Sequence, residues 1–357
     1  AVDREKKKIN NKIEPVKNNT ISYAINLTEI IGAGDYRLGY LYRDAVEKLT
    51  KEDIQRVAEK YFRPNNRTVG VFIPSKDEVR VKANEYTDEQ LLALTKDYKG
   101  KALEKEAAPF EASIKNLKQN LVEGKLTNGI KYGLIKKEIK GGKVQASFKF
   151  PVSNEKDLTG KSDIAGILAQ LLKTGTKTQT KEQIQDKLDQ LKSSINFNFT
   201  TQTLSVSVNT YKEHFKEVMG ILADLLANST FPENELTKTI SEYNTYLESS
   251  LNDPQAVAFT ELSRITTKYP KGSIFYTPTI QEQIDAFKKI KQAEIVDFYT
   301  NVLGGNNGIG SVVGDLDAKT TGEILENTFG KWNSKSKYEL AQPAYFETQK
   351  LDKDIIT

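Results

Sequence analysis

The 357-residue sequence has no cysteine and a single histidine, His214. Without cysteine the chain can form neither disulfides nor thiolate zinc sites, and it has no cysteine nucleophile. One histidine excludes any metal site built on two histidines, and a Ser-His-Asp triad would have to use His214. His214 stands beside the apolar stripe of a predicted helix, a position typical of a partly exposed surface residue.

Long apolar runs are also missing: no stretch reaches the roughly 18 residues that a membrane-spanning helix needs. The 52 Lys and Arg residues nearly balance the 48 Asp and Glu residues, and the two signs are interleaved along the chain. We therefore expect neither a membrane span nor a nucleic-acid partner. Hydrophobic residues make up 38% of the chain, which is enough for globular cores, and the length predicts about two domains.

From residue 121 onward, strand and helix patterns follow one another. Asn128-Gly129 between apolar residues predicts a hairpin turn. Strands are predicted over residues 143–152, 195–200, 204–208 and 309–313, and helices over residues 164–173, 181–191, 215–226, 293–302 and 319–329. A further helix is predicted to begin at Pro232-Glu233 with Thr230 as its cap. This order predicts an α+β fold in which helices cover a sheet.

An internal repeat links the two ends of the chain. A helix with acidic residues in its first turn runs through Asn-Asn into a Val-rich strand, and the same order recurs 241 positions later. The matching residues are Ile54, Val57, Tyr61, Asn65, Asn66, Val69 and Val71 in the first copy, and Ile295, Phe298, Val302, Asn306, Asn307, Gly310 and Val312 in the second. The repeat predicts the tail of one module, with a strand at residues 68–74, followed by most of a second module.

Between the two copies, residues 76–120 carry mixed charge and little apolar periodicity. This composition predicts a solvated linker with one short helix over residues 87–96.

Several segments together resemble the pitrilysin/insulinase (M16) family of zinc metallopeptidases. Residues 49–62 and 64–70 resemble the end of the second domain of that family, and residues 126–130 resemble the opening hairpin of a peptidase-like domain. Gly175-Thr176, Asn252-Asp253-Pro254 and residues 311–316 resemble later landmarks of the same domain. The resemblance implies a mixed, largely antiparallel sheet with helices packed on it.

The active domain of that family carries His-x-x-Glu-His on a helix before a Gly-Thr, with the histidines as zinc ligands and the glutamate as general base. Counted back from Gly175, the corresponding positions here are Gly166, Ala169 and Gln170. Glu242 falls near the place of the distant third ligand. The resemblance thus implies a domain with no catalytic residue, no metal site and no cofactor of its own, and zinc is expected in the catalytic half of the parent protein.

The resemblance divides the chain into four parts. Residues 1–75 would be the C-terminal part of a preceding M16-like domain, residues 76–120 a charged linker, residues 121–335 an inactive peptidase-like domain, and residues 336–357 a linker to a following domain. The implied function is a noncatalytic part of a zinc metalloendopeptidase that provides chamber wall and peptide-binding surface. Its partners would be the catalytic M16 half and peptide substrates, and the family favours a periplasmic or secreted location over a cytoplasmic one.

Two alternatives stay open at this stage. One is a scaffold or binding subunit that pairs with a separate catalytic M16 chain. The other is an unrelated α+β protein with chance matches.

Overall fold

The computed structural model describes residues 2–16, 19–68, 70, 87–99, 107 and 109–344. The chain divides into two compact units, residues 1–105 and residues 106–357. No helix among the described residues is long and apolar enough to cross a membrane.

The first unit is helical throughout its described residues, which contain no strand. Its helices are α1 (Val2–Val16), α2 (Thr20–Gly32), α3 (Arg37–Lys48), α4 (Lys51–Tyr61) and α5 (Asp88–Thr95). Helix α3 packs against α1 and α2, yet the buried side chains among the described residues of this unit are only Arg43, Val46 and Thr95. The predicted helix over residues 87–96 is confirmed, because α5 begins after Thr87, whose side chain accepts the Gln90 N–H. The strand predicted at residues 68–74 lies largely outside the described residues.

The second unit contains the sheet and most of the core. Its strands are β1 (Leu121–Lys125), β2 (Lys131–Lys136), β3 (Lys143–Pro151), β4 (Ser194–Thr200), β5 (Thr203–Tyr211) and β6 (Ile309–Gly314). Its helices are α6 (Ile114–Asn120), α7 (Glu155–Leu158), α8 (Ser162–Leu171), α9 (Lys181–Gln190), α10 (Phe215–Asn228), α11 (Glu233–Ser250), α12 (Pro254–Thr266), α13 (Ile280–Phe287), α14 (Gln292–Asn301) and α15 (Ala318–Phe329).

The six strands form one sheet in the order β1-β2-β6-β3-β5-β4. Only the β2–β6 pair is parallel, and the other neighbouring strands run antiparallel. The predicted class, a mixed and largely antiparallel sheet with helices packed on it, is confirmed.

The predicted hairpin joins β1 and β2. The Leu126 N–H donates to the Ile130 carbonyl at 2.8 Å, which closes the turn around Asn128 and Gly129. Gly129 has φ +95°, a backbone conformation that residues with a Cβ rarely adopt. The Asn-Gly pair is therefore the local cause of this connection.

Helices cover one face of the sheet. Strand β3 alternates strictly, with Val144, Ala146, Phe148 and Phe150 buried and the residues between them exposed. The Phe148 ring lies 4.6 Å from the ring of Phe329 in α15. The single tryptophan, Trp332, meets Phe150 edge-on at 4.9 Å. Its fluorescence is therefore a reporter of the core of the second unit.

Three sequence-based boundaries need correction. Thr230 does not cap α11: its N–H donates to the Gly175 carbonyl, and Pro232 occupies the N-cap position. Helix α6 lies inside the predicted linker 76–120 but packs against β2 of the second unit. Residues after 335 do not leave the domain at once.

The segment after α15 returns to the sheet. The Glu339 N–H donates to the Ser153 carbonyl, and the Ala341 N–H donates to the Gln202 side-chain oxygen, both at 3.0 Å. Ala341 is 9% exposed. These bonds satisfy backbone and side-chain groups at the end of the sheet, so the packed domain extends at least to residue 341.

Glu282, in the first turn of α13, fixes the loop that joins α12 to α13. It accepts hydrogen bonds from Lys271 Nζ at 2.8 Å, from the Thr279 N–H at 2.9 Å and from the Tyr276 hydroxyl at 2.8 Å. These donors, the lysine first, lower the pKa of Glu282 to about 2. A carboxyl whose pKa is lower in the folded state adds stability above its unfolded pKa and loses it as the pH falls.

We expect this contribution to disappear as the pH falls from about 4.5 to about 2, with a size of about 1 kcal/mol because solvent screens the partly exposed pair. Denaturant unfolding of the wild type and of Glu282→Gln, followed by Trp332 fluorescence at pH 7 and pH 3, measures the difference. Glu248→Gln removes an exposed carboxyl of α11 and is the matched control. An equal pH dependence in the wild type and in Glu282→Gln would contradict the assignment.

Candidate functional site

Helix α8 carries Gly166, Ala169 and Gln170, the positions at which the resemblance to the family predicts the counterpart of a zinc-binding motif. Six of its apolar residues are buried: Ile164, Ala165, Ile167, Leu168, Ala169 and Leu171. The helix packs against β4, α11, α13 and α14. Asp163 lies in its first turn, where a carboxylate is favoured by the helix dipole. Burial raises the pKa of Asp163, because the charged carboxylate loses solvation.

The three motif positions do not share one environment. Asp163, Gly166 and Gln170 follow one another at spacings of about one helical turn, so they share one face of α8. All three are half-buried. Ala169 is 2% exposed and belongs to the hydrophobic core. The face of α8 that carries Gly166 and Gln170 offers no imidazole, and the position of the general base points to the core.

Glu242, the remnant carboxylate, lies on α11. Its side chain is 67% exposed and its nearest charged partner is Lys238, one turn earlier at 3.9 Å. The polar residue that α11 buries is instead Asn244, whose Oδ1 has no hydrogen-bond partner among the described residues. Sequence reasoning did not single out Asn244, because an isolated Asn in a helix carries no pattern.

The residues of this region do not fit zinc. Gly166 and Ala169 have no ligand atoms, the Gln170 amide is a poor zinc ligand, and Glu242 is a single exposed carboxylate. In the described part of the chain, no three His, Asp or Glu side chains come together in a way that could hold a metal ion. His214 is half-buried, immediately before α10, and lies in a different element.

The second feature of the domain is the open face of the sheet. Directly paired residues form a row across all six strands: Glu123, Gly133, Ser311, Ser147, Ser207 and Asn196. None of these six residues is buried. The row exposes small hydroxyl and amide side chains next to backbone, without large apolar groups.

A neighbouring row of paired residues on the same face is basic. It runs through Lys125, Lys131, Ile309, Lys149, Ser205 and Asn198. The three lysines are exposed. This face of the sheet is therefore open, mostly polar and weakly basic, with Ile309 as an exposed apolar side chain in the second row, whereas the opposite face is covered by helices.

Comparison with known proteins agrees with this fold. Residues 153–279, which contain α8 and α11, match the family model of Insulinase (Peptidase family M16). Residues 153–279 therefore resemble a domain of peptidase family M16. The name M16 domain is used below for the packed part of the second unit, residues 109–344.

Among curated proteins, the chain is 24% identical over 191 residues to the uncharacterized zinc protease YmxG of Bacillus subtilis (strain 168). The match covers 53% of this chain and 45% of YmxG. The chain thus spans about half the length of that relative.

Solved structures share the fold of the M16 domain. The peptidase M16 inactive domain from Pseudomonas fluorescens has a TM-score of 0.54 at 15% identity, over 63% of this chain and 54% of that one. A protease from Helicobacter pylori has a TM-score of 0.53 at 16% identity, over 63% of this chain and 53% of that one. The periplasmic protease PqqL from Escherichia coli has a TM-score of 0.53 at 15% identity, over 67% of this chain and 26% of that one.

Proposed function

We propose that the M16 domain is a noncatalytic part of an M16 zinc metalloendopeptidase and forms a wall of the chamber in which peptides are held. Helix α8 supports this proposal, because the resemblance to the family puts the zinc-binding motif at this helix, where the chain bears Gly166, Ala169 and Gln170. A fold that is kept while its metal ligands are replaced supports a binding or architectural role.

The open face of the sheet is the part of the domain suited to peptides. Ser147 lies at the centre of the polar row, paired on one side with Ser207 and on the other with Ser311. Small side chains leave room for an extended chain to lie across the strands, and hydroxyl and amide groups can hydrogen-bond to its backbone whatever its sequence. Such a surface supports broad rather than sequence-specific recognition.

The partners in this proposal are peptide substrates and the catalytic M16 half, which would carry the zinc. That half belongs to the same parent chain, and the alternative is a separate catalytic subunit for which this protein is the scaffold. A His-x-x-Glu-His motif in the same reading frame distinguishes the two arrangements. The proposed location is periplasmic or secreted, in line with PqqL.

The experiment measures binding and hydrolysis of one probe, fluorescein-labelled unfolded casein, with added zinc. We expect the purified chain to raise the anisotropy of the probe and to release no fragments, because no residue of α8 can activate a metal-bound water. Ser147→Tyr should weaken binding roughly tenfold by filling the centre of the open face, a loss of about 1.4 kcal/mol. Ser241→Tyr adds the same ring at an exposed position of α11 and should change nothing.

Two results would contradict the proposal. Equal binding of the probe by Ser147→Tyr and Ser241→Tyr would mean that peptides do not bind to the open face of the sheet. Hydrolysis that is lost in Glu242→Gln would mean that this domain is itself a working metal site.

A further inference from the structure

Four neighbouring strands carry the basic row on the open face of the sheet. Its members there are Lys125 in β1, Lys131 in β2, Ile309 in β6 and Lys149 in β3, and each is paired directly with the next. All four residues are exposed. Three lysines and one isoleucine thus stand side by side on the open face.

The charges of these three lysines are not used within the domain. In the described part of the chain none of the three has an ion pair or a side-chain hydrogen bond, whereas Lys136 and Lys212 pair with Asp315 at 3.7 Å and 2.6 Å. An ammonium group without a partner offers three N–H donors to an incoming anion. The basic row is therefore suited to a ligand that brings carboxylates.

Glu123 is the one acidic residue among the members of the polar and basic rows. It stands two positions before Lys125 in β1, which is an edge strand, and is three strands away from Lys149. Its charge offsets part of the positive charge at one end of the basic row and leaves the other end unchanged. The row as a whole stays basic.

A groove lies along the part of the two rows that crosses β1, β2 and β6. It has a volume of about 700 Å³ and is lined by Glu123, Lys125, Lys131 and Ile309, together with Tyr132 and three glycines that contribute only backbone. Ile309 is 59% exposed. A groove of this volume has room for side chains of a bound peptide, and Ile309 offers them an apolar contact beside the lysines.

The spacing along the basic row fits an extended peptide that lies across the strands. Neighbouring strands are about 4.8 Å apart, and every second side chain of an extended chain points to the same side at intervals of about 6.8 Å. Ile309 stands between Lys131 and Lys149, one strand from each. When an apolar side chain rests on Ile309, carboxylates two residues before and after it come within reach of the two lysines, whose flexible stems span the difference of about 2 Å.

We propose that the basic row selects extended peptide segments in which two carboxylate side chains flank an apolar one, each at a separation of two residues. The inference rests on the proposed function, because it gives a charge preference to the peptide surface of the open face. The hydroxyl and amide groups of the polar row hold the backbone of any segment, and the basic row favours acidic segments among them. Recognition stays broad, since the row sets a charge pattern rather than a sequence.

Three fluorescein-labelled peptides of equal length test this preference by anisotropy with the 357-residue chain. The acidic probe carries glutamates two residues before and two residues after a leucine, and the amide probe carries glutamines in their place. The clustered probe has the composition of the acidic probe but both glutamates at one end, and serine and glycine fill the other positions of all three.

We expect the acidic probe to bind roughly threefold to tenfold more tightly than the amide probe at low ionic strength, since exposed ion pairs are individually weak. The clustered probe should bind less tightly than the acidic one. The preference should disappear at about 1 M salt, where the Debye length is about 3 Å.

Two double variants show whether the basic row causes the preference. Lys131→Gln combined with Lys149→Gln removes both charges beside Ile309 and should abolish it. Lys216→Gln combined with Lys319→Gln changes the net charge equally, at exposed positions of α10 and α15 among the helices that cover the sheet, and should keep it.

Equal binding of the acidic and amide probes, or of the acidic and clustered probes, would overturn the inference. A preference that survives in the open-face variant, or that is lost equally in the helix variant, would do the same. Ser147→Tyr separates these results from a failure of the proposed function: when it weakens binding of all probes, peptides still bind to the open face and only the preference is wrong. Probes that bind equally to the wild type and to Ser147→Tyr, or that do not bind at all, would overturn both.

Discussion

Replacing Phe298 with alanine is expected to lower the free energy of unfolding of the M16 domain by about 3–5 kcal/mol. The ring is fully buried between α8 and β4, where it contacts Phe199 edge-on at 6.0 Å. Its removal leaves a cavity that the surrounding rigid sheet cannot fill. Denaturant unfolding followed by Trp332 fluorescence measures the loss, because the indole lies in the same core.

Val296→Ala is the control on the same helix. Val296 is exposed, so its truncation is expected to change the free energy of unfolding by less than about 0.5 kcal/mol. A loss below about 1 kcal/mol in Phe298→Ala would mean that α14 is not packed in the core as described.

Ala169→Glu is the second substitution with a large expected effect, a loss of about 2–4 kcal/mol. Ala169 is 2% exposed and belongs to the hydrophobic core of the domain. A carboxylate placed there loses its solvation without gaining a partner. The measurement is again unfolding by denaturant with Trp332 as reporter.

Gln170→Glu is the matched change at the neighbouring, half-buried position, and its expected effect is within about 0.5 kcal/mol. Equal tolerance of the two glutamates would show that the side of α8 bearing Ala169 is open to solvent. With the expected result, a glutamate at position 169 would destabilise the domain by its burial, whereas a glutamate at position 170 would be tolerated.

The elements with strong periodicity were predictable from the sequence. The alternation in β3 and the apolar stripe of α10 each extend over more than two turns or pleats, and both elements occur where they were predicted. Helices α12 and α13 were not predicted. Helix α12 has no buried residue, and α13 has only eight residues, so neither carries a long apolar pattern.

The candidate site was predictable only in part. The sequence predicted a helix at the motif positions that precede Gly175, and α8 is found there. The burial of Ala169, in contrast, depends on tertiary packing that no local pattern encodes. The polar row on the sheet was not foreseen. Ser147, Ser207 and Ser311 come from distant parts of the chain, and only the register of three strands brings them side by side.

The strand order has a consequence for the time course of folding. Strand β6 lies between two groups of strands in the sheet. Strands β1 and β2 form a hairpin on one side of it, and β3, β5 and β4 form the group on the other side. In the described sheet the two groups are joined through β6, which pairs with β2 on one side and with β3 on the other, as in the pairing of Leu134 with Val312.

Because chains emerge from synthesis amino end first, the β1–β2 hairpin has an unpaired inner edge while about 170 further residues are made, and the β3–β5–β4 group has one while about 100 are made. Exposed edges of this kind attract other strands. The contact that joins the most distant parts of the sequence is therefore also the step that closes the sheet, which makes the last strand the point at which a nascent chain escapes aggregation.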